Sequence, residues 1–201
     1  AAVVASIGLA LVPAQYIQRF ESIGGEGGSK TKRVEILEDA WTIFLENPGG
    51  VGIASFPAVR MQKFGRSQDT HNLYLEVATN LGVQGLVIFV TLVWTLLRAL
   101  RLMQLALDRE RDVLIALARA GPPSDVRRAL RTHEDDLSFL SAICKGGAGF
   151  IYVRLALGAF GMDLYEVYWW FSAGLAISLE FMLRPIVHNT ERLQVAAASA
   201  T

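Results

Sequence analysis

Three stretches of this chain, 81–97, 139–160 and 164–183, are apolar over nearly the whole length needed to cross the hydrocarbon core of a bilayer, about 20 residues of helix. No other feature constrains the fold as strongly. A backbone in lipid must satisfy its own hydrogen bonds, and helices do so segment by segment. A fourth apolar run, 1–14, is shorter, has no basic segment before it and begins without methionine. It reads as the end of a spanning helix rather than as a signal peptide, so the chain is expected to be the C-terminal part of a longer protein. The expected fold is all-α, a polytopic transmembrane helix bundle with spans at 1–18, 80–98, 139–160 and 164–184. An outer loop at 19–79, an inner helical loop at 99–138 and a tail at 185–201 connect and follow them.

Orientation follows from the basic residues beside the spans. Arg98, Arg101, Arg109, Arg111, Arg119, Arg127, Arg128, Arg131 and Lys145 cluster in and around 99–138, and Arg184 and Arg192 lie in or near the tail, whereas the turn at 161–163 has no basic residue. The 99–138 segment and the C-terminus are therefore expected on the cytoplasmic side, and 19–79 on the periplasmic or exterior face. The net charge is zero and no basic strip tracks a phosphate backbone, so nucleic acid is not an expected partner; the lipid bilayer is. Cys144 is alone, which leaves no disulfide or cysteine metal site within one chain.

In the outer loop, 22–29 is rich in glycine. After it, Val34, Leu37, Trp41, Phe44 and Leu45 recur at helical spacing, which predicts an amphipathic helix over 32–46. Asn47-Pro48-Gly49-Gly50 stops it, and 51–67 is expected to be irregular or re-entrant. Within 99–138, two helical pieces, 103–120 and 125–132, are separated by Gly121-Pro122-Pro123, and their alternating charges read as a solvated face. Arg154, deep in the third span, is expected to pair with Glu180 or to face a watery cavity.

Asp69 or Thr70 can cap the second span, placing His71 in its first turn. Asn72, Glu76, Asn80 and Gln84 then follow four residues apart and make one polar stripe. Lipid cannot satisfy such a stripe, so this helix is expected to line a polar chamber with His71 at its mouth; for Asn80 and Gln84, hydrogen bonding to neighbouring helices is the simpler reading. An imidazole at that boundary is suited to accept or polarise a hydroxyl proton. Arg33, beside Lys30 and Lys32, opens the amphipathic helix, where free amides and a guanidinium fork together suit phosphate oxygens. Resting on anionic headgroups is the alternative for that cluster, and Arg60, Lys63 and Arg66 have the same two readings. No phosphate-binding glycine loop, dinucleotide fingerprint or metal-ligand spacing is present, and neither a metal nor a cofactor is expected. Glu134-Asp135-Asp136 reads as a helix-start cluster.

Arg33, the helix after it, Glu46-Asn47-Pro48-Gly49-Gly50-Val51-Gly52 with Phe56, then Thr70-His71-Asn72-Leu73-Tyr74-Leu75-Glu76 and Leu81-Gly82-Val83-Gln84-Gly85-Leu86 together resemble the O-antigen ligase and Wzy-type polymerase superfamily. The resemblance covers 1–100. It implies a metal-independent, inverting glycosyltransferase of the bacterial inner membrane, transferring a glycan from undecaprenyl pyrophosphate to a lipid- or glycan-linked acceptor. Carried over by position, His71 activates the acceptor hydroxyl and Arg33 binds the pyrophosphate. Lys30, Lys32, Asn72 and Glu76 are expected to line or support the substrate site. Members of that superfamily have about twelve spans and a further upstream arginine, which this chain does not contain. A repeat-unit polymerase and a protein O-oligosaccharyltransferase share the donor logic and differ in acceptor. A non-catalytic polysaccharide transporter or flippase subunit is the rival of another class, and it places polar residues near the bilayer midplane on several helices.

Overall fold

Leu100, Met103 and Leu107 in one segment, and Val126, Leu130, His133, Leu137, Leu140 and Cys144 in the next, recur at alternating steps of four and three, the repeat that winds helices around one another. The computed structural model describes residues 28–161 and 164–199, with side chains from Arg33 onward at its beginning. It is all-helical among these residues: α1 (Gly28–Glu46), α2 (Phe56–Phe64), α3 (Leu73–Arg119), α4 (Ser124–Gly158) and α5 (Tyr168–Ala198). The first expected span, 1–18, lies outside the described residues. The other three coincide with α3, α4 and α5, each long and apolar enough to cross a membrane.

These three helices form one bundle on a continuous seam. Phe89, Val93, Leu96, Leu100, Met103 and Leu107 of α3 are buried against Leu130, Leu137, Leu140, Cys144 and Ile151 of α4 and Trp169, Ala176, Leu179 and Ile186 of α5. Phe89 meets Trp169 edge to face at 5.0 Å. Outside the seam, Val87, Ile88, Val90, Trp170, Phe171 and Phe181 are exposed, as lipid-facing side chains are. The helical pieces expected at 103–120 and 125–132 and the break at Gly121-Pro122-Pro123 are present, and each piece is continuous with the neighbouring span: α3 runs on to Arg119 and α4 starts at Ser124. The charges lie on the outer faces, and the apolar repeat beneath them carries both helices past the end of the apolar spans.

One polar pair interrupts the seam near its far end. His133 and Thr190 are both buried, with Nε2 and Oγ1 2.9 Å apart. A polar contact inside a coiled seam fixes register. Thr190→Val should leave the imidazole without that partner and lower stability by about 1–3 kcal/mol, measured as the unfolding midpoint in detergent.

α1 and α2 make a second, smaller core of Ala40, Ile43 and Phe56, with Val51, Val59, Phe64 and Leu75 around it. The helix at 56–64 replaces the irregular segment expected there: Pro57 sits in its first turn, and Gly65, at φ 71°, closes it with a hydrogen bond to Met61 O. The amphipathic helix is also longer than expected and turned the other way. Ile36, Ala40 and Ile43 face inward, while Val34, Leu37, Trp41 and Leu45 are exposed. An outward apolar row with a tryptophan is suited to a membrane interface, which explains why the more apolar face does not point at the core. Arg154 lies over the Tyr168 ring at 3.8 Å, and Glu180 pairs with Arg184 of its own helix at 3.5 Å, in place of the expected cross-span bridge.

Candidate functional site

α3 breaks once, at Gly82, whose φ of 70° and ψ of −164° are outside helical geometry and accessible only to glycine at low cost. A break in a helix leaves carbonyls and an amide unpaired, and here a loop takes them up. Val51 N donates to Thr79 O (2.9 Å), Gly52 N to Asn80 O (3.0 Å), and Val83 N to Pro48 O (2.9 Å). Two side chains reinforce the clasp: Asn80 Oδ1 accepts from Phe56 N at 3.0 Å, and Gln84 Nε2 donates to Gly49 O at 2.5 Å. Asn80 and Gln84, expected to join helices, instead hold 49–56 onto α3.

The start of α3 is fixed just as closely. Its cap is Asn72 rather than Asp69 or Thr70: Asn72 Oδ1 accepts from Tyr74 N and Leu75 N at 3.0 and 3.1 Å. Asn72 Nδ2 donates to Ala159 O at 3.1 Å and Tyr74 Oη to Leu155 O at 2.6 Å, tying this end to the last turn of α4. His71 therefore precedes the helix, in the left-handed region at φ 47°, with an exposed side chain. Glu76 is buried and accepts from Leu164 N at 3.4 Å, so it braces the turn between α4 and α5. In that turn, outside the helices, Tyr165 Oη accepts from Ala54 N at 3.2 Å. Partial burial pushes its phenol above the ordinary range; the Ala54 bond opposes this and the nearby Glu76 carboxylate adds to it. Asn72→Ala should cost about 1–2 kcal/mol through the lost cap, read as a lower unfolding midpoint.

The cations divide into two kinds. Arg60 is 2% exposed, with Nε on Asp39 Oδ2 at 2.8 Å and Nη1 on Gln68 O at 3.0 Å. Arg66 bridges Glu35 at 2.6 Å and Asp39 at 3.3 Å, and Lys63 pairs with Glu46. These three are neutralised within the α1–α2 unit, against the anion-binding reading. Arg33 is exposed and has no ion-pair partner among the described residues. Seven residues before Ala40, it is within about 20° of that residue around the helix, so it extends the inward row of Ile36, Ala40 and Ile43 beyond the core. It is in the second turn of α1, since the helix starts at Gly28 rather than 32. Lys30 and Lys32 occupy the first turns, and their side chains are outside the described set. No hydrogen bond or ion pair joins Arg33 to His71.

Sequence reasoning missed the clasp and the Tyr165 contact. Each joins backbone to distant groups, which leaves no spacing to read. Gly50 and Gly82, both at positive φ, were the available signal for close backbone approach.

Residues 1–90 match the family model for O-antigen ligase. No curated protein and no solved structure matches the chain. The matched segment holds α1, α2, the clasp, Arg33, His71 and the start of α3, everything in this site except the ends of α4 and α5 that support it. Over that segment, a little under half of its length, the chain is similar to the O-antigen ligase family.

Proposed function

We propose that this chain carries the catalytic outer segment of a membrane glycosyltransferase that moves a glycan from undecaprenyl pyrophosphate to an acceptor hydroxyl, in the manner of an O-antigen ligase. One observation carries the reading beyond the family match over residues 1–90: of the described cations around α1 and α2, Arg33 alone is left without a carboxylate, and His71 is held exposed by a backbone that a histidine seldom adopts. Strain of this kind gathers at functional sites.

The chemistry follows in one displacement. The acceptor oxygen attacks the anomeric carbon from the face opposite the pyrophosphate, and its proton passes to the His71 imidazole. The bond from the anomeric carbon to the phosphate oxygen breaks with its electron pair, and Arg33 stabilises the charge that develops there. Inversion at the anomeric carbon is the consequence. Asn72 and Glu76 act as supports, one capping α3 and the other bracing the α4–α5 turn; Lys30 and Lys32 add positive charge beside Arg33. The reading takes its metal independence from the family resemblance. The basic residues around 99–138 support an inner-membrane orientation with this site on the periplasmic side.

The test is transfer in cells lacking their own ligase or polymerase, complemented with the full gene carrying His71→Ala or Arg33→Ala, with membrane protein level checked. Loss of surface glycan at normal protein level supports the reading, and the acceptor left bare distinguishes ligase, repeat-unit polymerase and protein oligosaccharyltransferase. Undiminished transfer in both variants would sink it and favour a non-catalytic subunit.

A further inference from the structure

A second charged site lies at the other end of the apolar spans. Arg98 and Arg101 of α3 and Lys145 of α4 surround a groove of about 550 Å³ between the two helices, walled by Trp94 and Tyr152. That volume is in the range of small-ligand sites. The three cations come from two helices and converge on one opening that no carboxylate lines, whereas Glu134 joins Arg111, Arg119, Arg127 and Arg131 in lining the next groove along the same two helices. Arg98 is steadied against Trp94, its guanidinium 5.2 Å from the ring centroid. None of the three has an ion-pair partner among the described residues. Gln104, at the groove's lower edge, holds Asp108 at 2.8 Å and Ser141 at 2.9 Å, so the acid on the next turn is already engaged.

Depth decides the occupant. The groove opens where the apolar part of α3 ends, roughly 40 Å along that helix from its start beside His71. An aromatic pair with cations just beyond it marks the headgroup level. A ligand there meets positive charge at its polar end and exposed apolar side chains, including Val90 and Val153, along its length. We propose that this groove binds the phosphate of an anionic phospholipid in the leaflet remote from Arg33 and His71, with the acyl chains lying along α3 and α4. Basic pockets between spanning helices take such headgroups. The site is independent of the glycan-transfer reading, and its occupancy bears on the bundle rather than on His71.

The test is native mass spectrometry of the full chain released from mixed micelles of phosphatidylglycerol and phosphatidylethanolamine, run for three proteins. Wild type should retain phosphatidylglycerol selectively. R98Q/R101Q/K145Q should retain it about tenfold less or lower still, and R109Q/R119Q/R128Q, which removes the same charge elsewhere, within about twofold of wild type. R101Q alone, which leaves the Arg98–Trp94 stack in place, should lose about fivefold and covers the case in which the triple variant fails to fold. Equal retention of the two lipids overturns the proposal, as does an equal loss in both triple variants, which is bulk charge attraction. Displacement of the lipid by millimolar inorganic phosphate also overturns it, because the groove would then hold a free anion and the apolar walls would add nothing.

Discussion

His71→Gly and His71→Ala are both expected to lower glycan transfer about 100- to 10,000-fold while leaving the folded, inserted protein at normal abundance. The imidazole is exposed and makes no hydrogen bond among the described residues, so its removal takes nothing from the core. The pair of variants separates chemistry from backbone. At φ 47° glycine is at ease and alanine is not, a difference of about 1–2 kcal/mol. His71→Gly should therefore melt at or above the wild-type temperature and His71→Ala no higher than it, with the two equally inactive. In a transfer assay on purified protein, a glycine variant that keeps a tenth or more of the activity would remove the imidazole from the mechanism, whatever its stability.

The second large effect is structural. Gly50→Ala should dismantle the clasp, at a cost on the order of 3 kcal/mol or more, and abolish transfer with it. A Cβ at Gly50, where φ is +86°, would stand 2.5 Å from Asn80 O and 2.7 Å from Gly82 N. Both are backbone atoms of a helix anchored in the bundle, so neither can give way. Gly49 provides the control: a Cβ there meets nothing within 4 Å, and Gly49→Ala should fall within about 0.5 kcal/mol of wild type. Limited proteolysis of 47–56 is the readout. Equal protection in the Gly49 and Gly50 variants would mean that the loop does not seat against the break at Gly82.

The spanning helices were legible because length and apolarity suffice to name them. The helical hairpin at 99–138 was legible only in part. Its two helices and the break at Gly121-Pro122-Pro123 were read from the sequence, but not their continuity with the spans, although Leu100, Met103 and Leu107 already kept the seam repeat. α1 misled in direction: the larger residues Leu37, Trp41 and Leu45 look like the buried face by hydrophobicity alone, but a helix at an interface has two apolar environments and the tighter-packed one took Ala40. Asp69, Thr70 and Asn72 are all good caps in succession, and only the contact of Asn72 with Ala159 chooses among them. α2 was hidden by its neighbours, nine residues between a glycine-rich turn and Gly65. His71 and Arg33 stood out through the superfamily resemblance and the polar stripe; the pairing of Arg60 with Asp39, which takes Arg60 out of contention, is a tertiary fact.

The clasp at Gly82 also sets a height. Below the break, α3 is one uninterrupted rod, and the loop that shapes the site is bonded to the rod's top by Val83 N and Gln84 Nε2, and to the turn above it by Thr79 O and Asn80 O, rather than tethered by slack chain. From Gly82 to Arg98 there are sixteen residues, roughly 24 Å of rise. The altitude of the site over the opposite headgroup plane is thus counted out in helical steps. A membrane of different thickness would tilt the rod, and the site would tip with it as one piece.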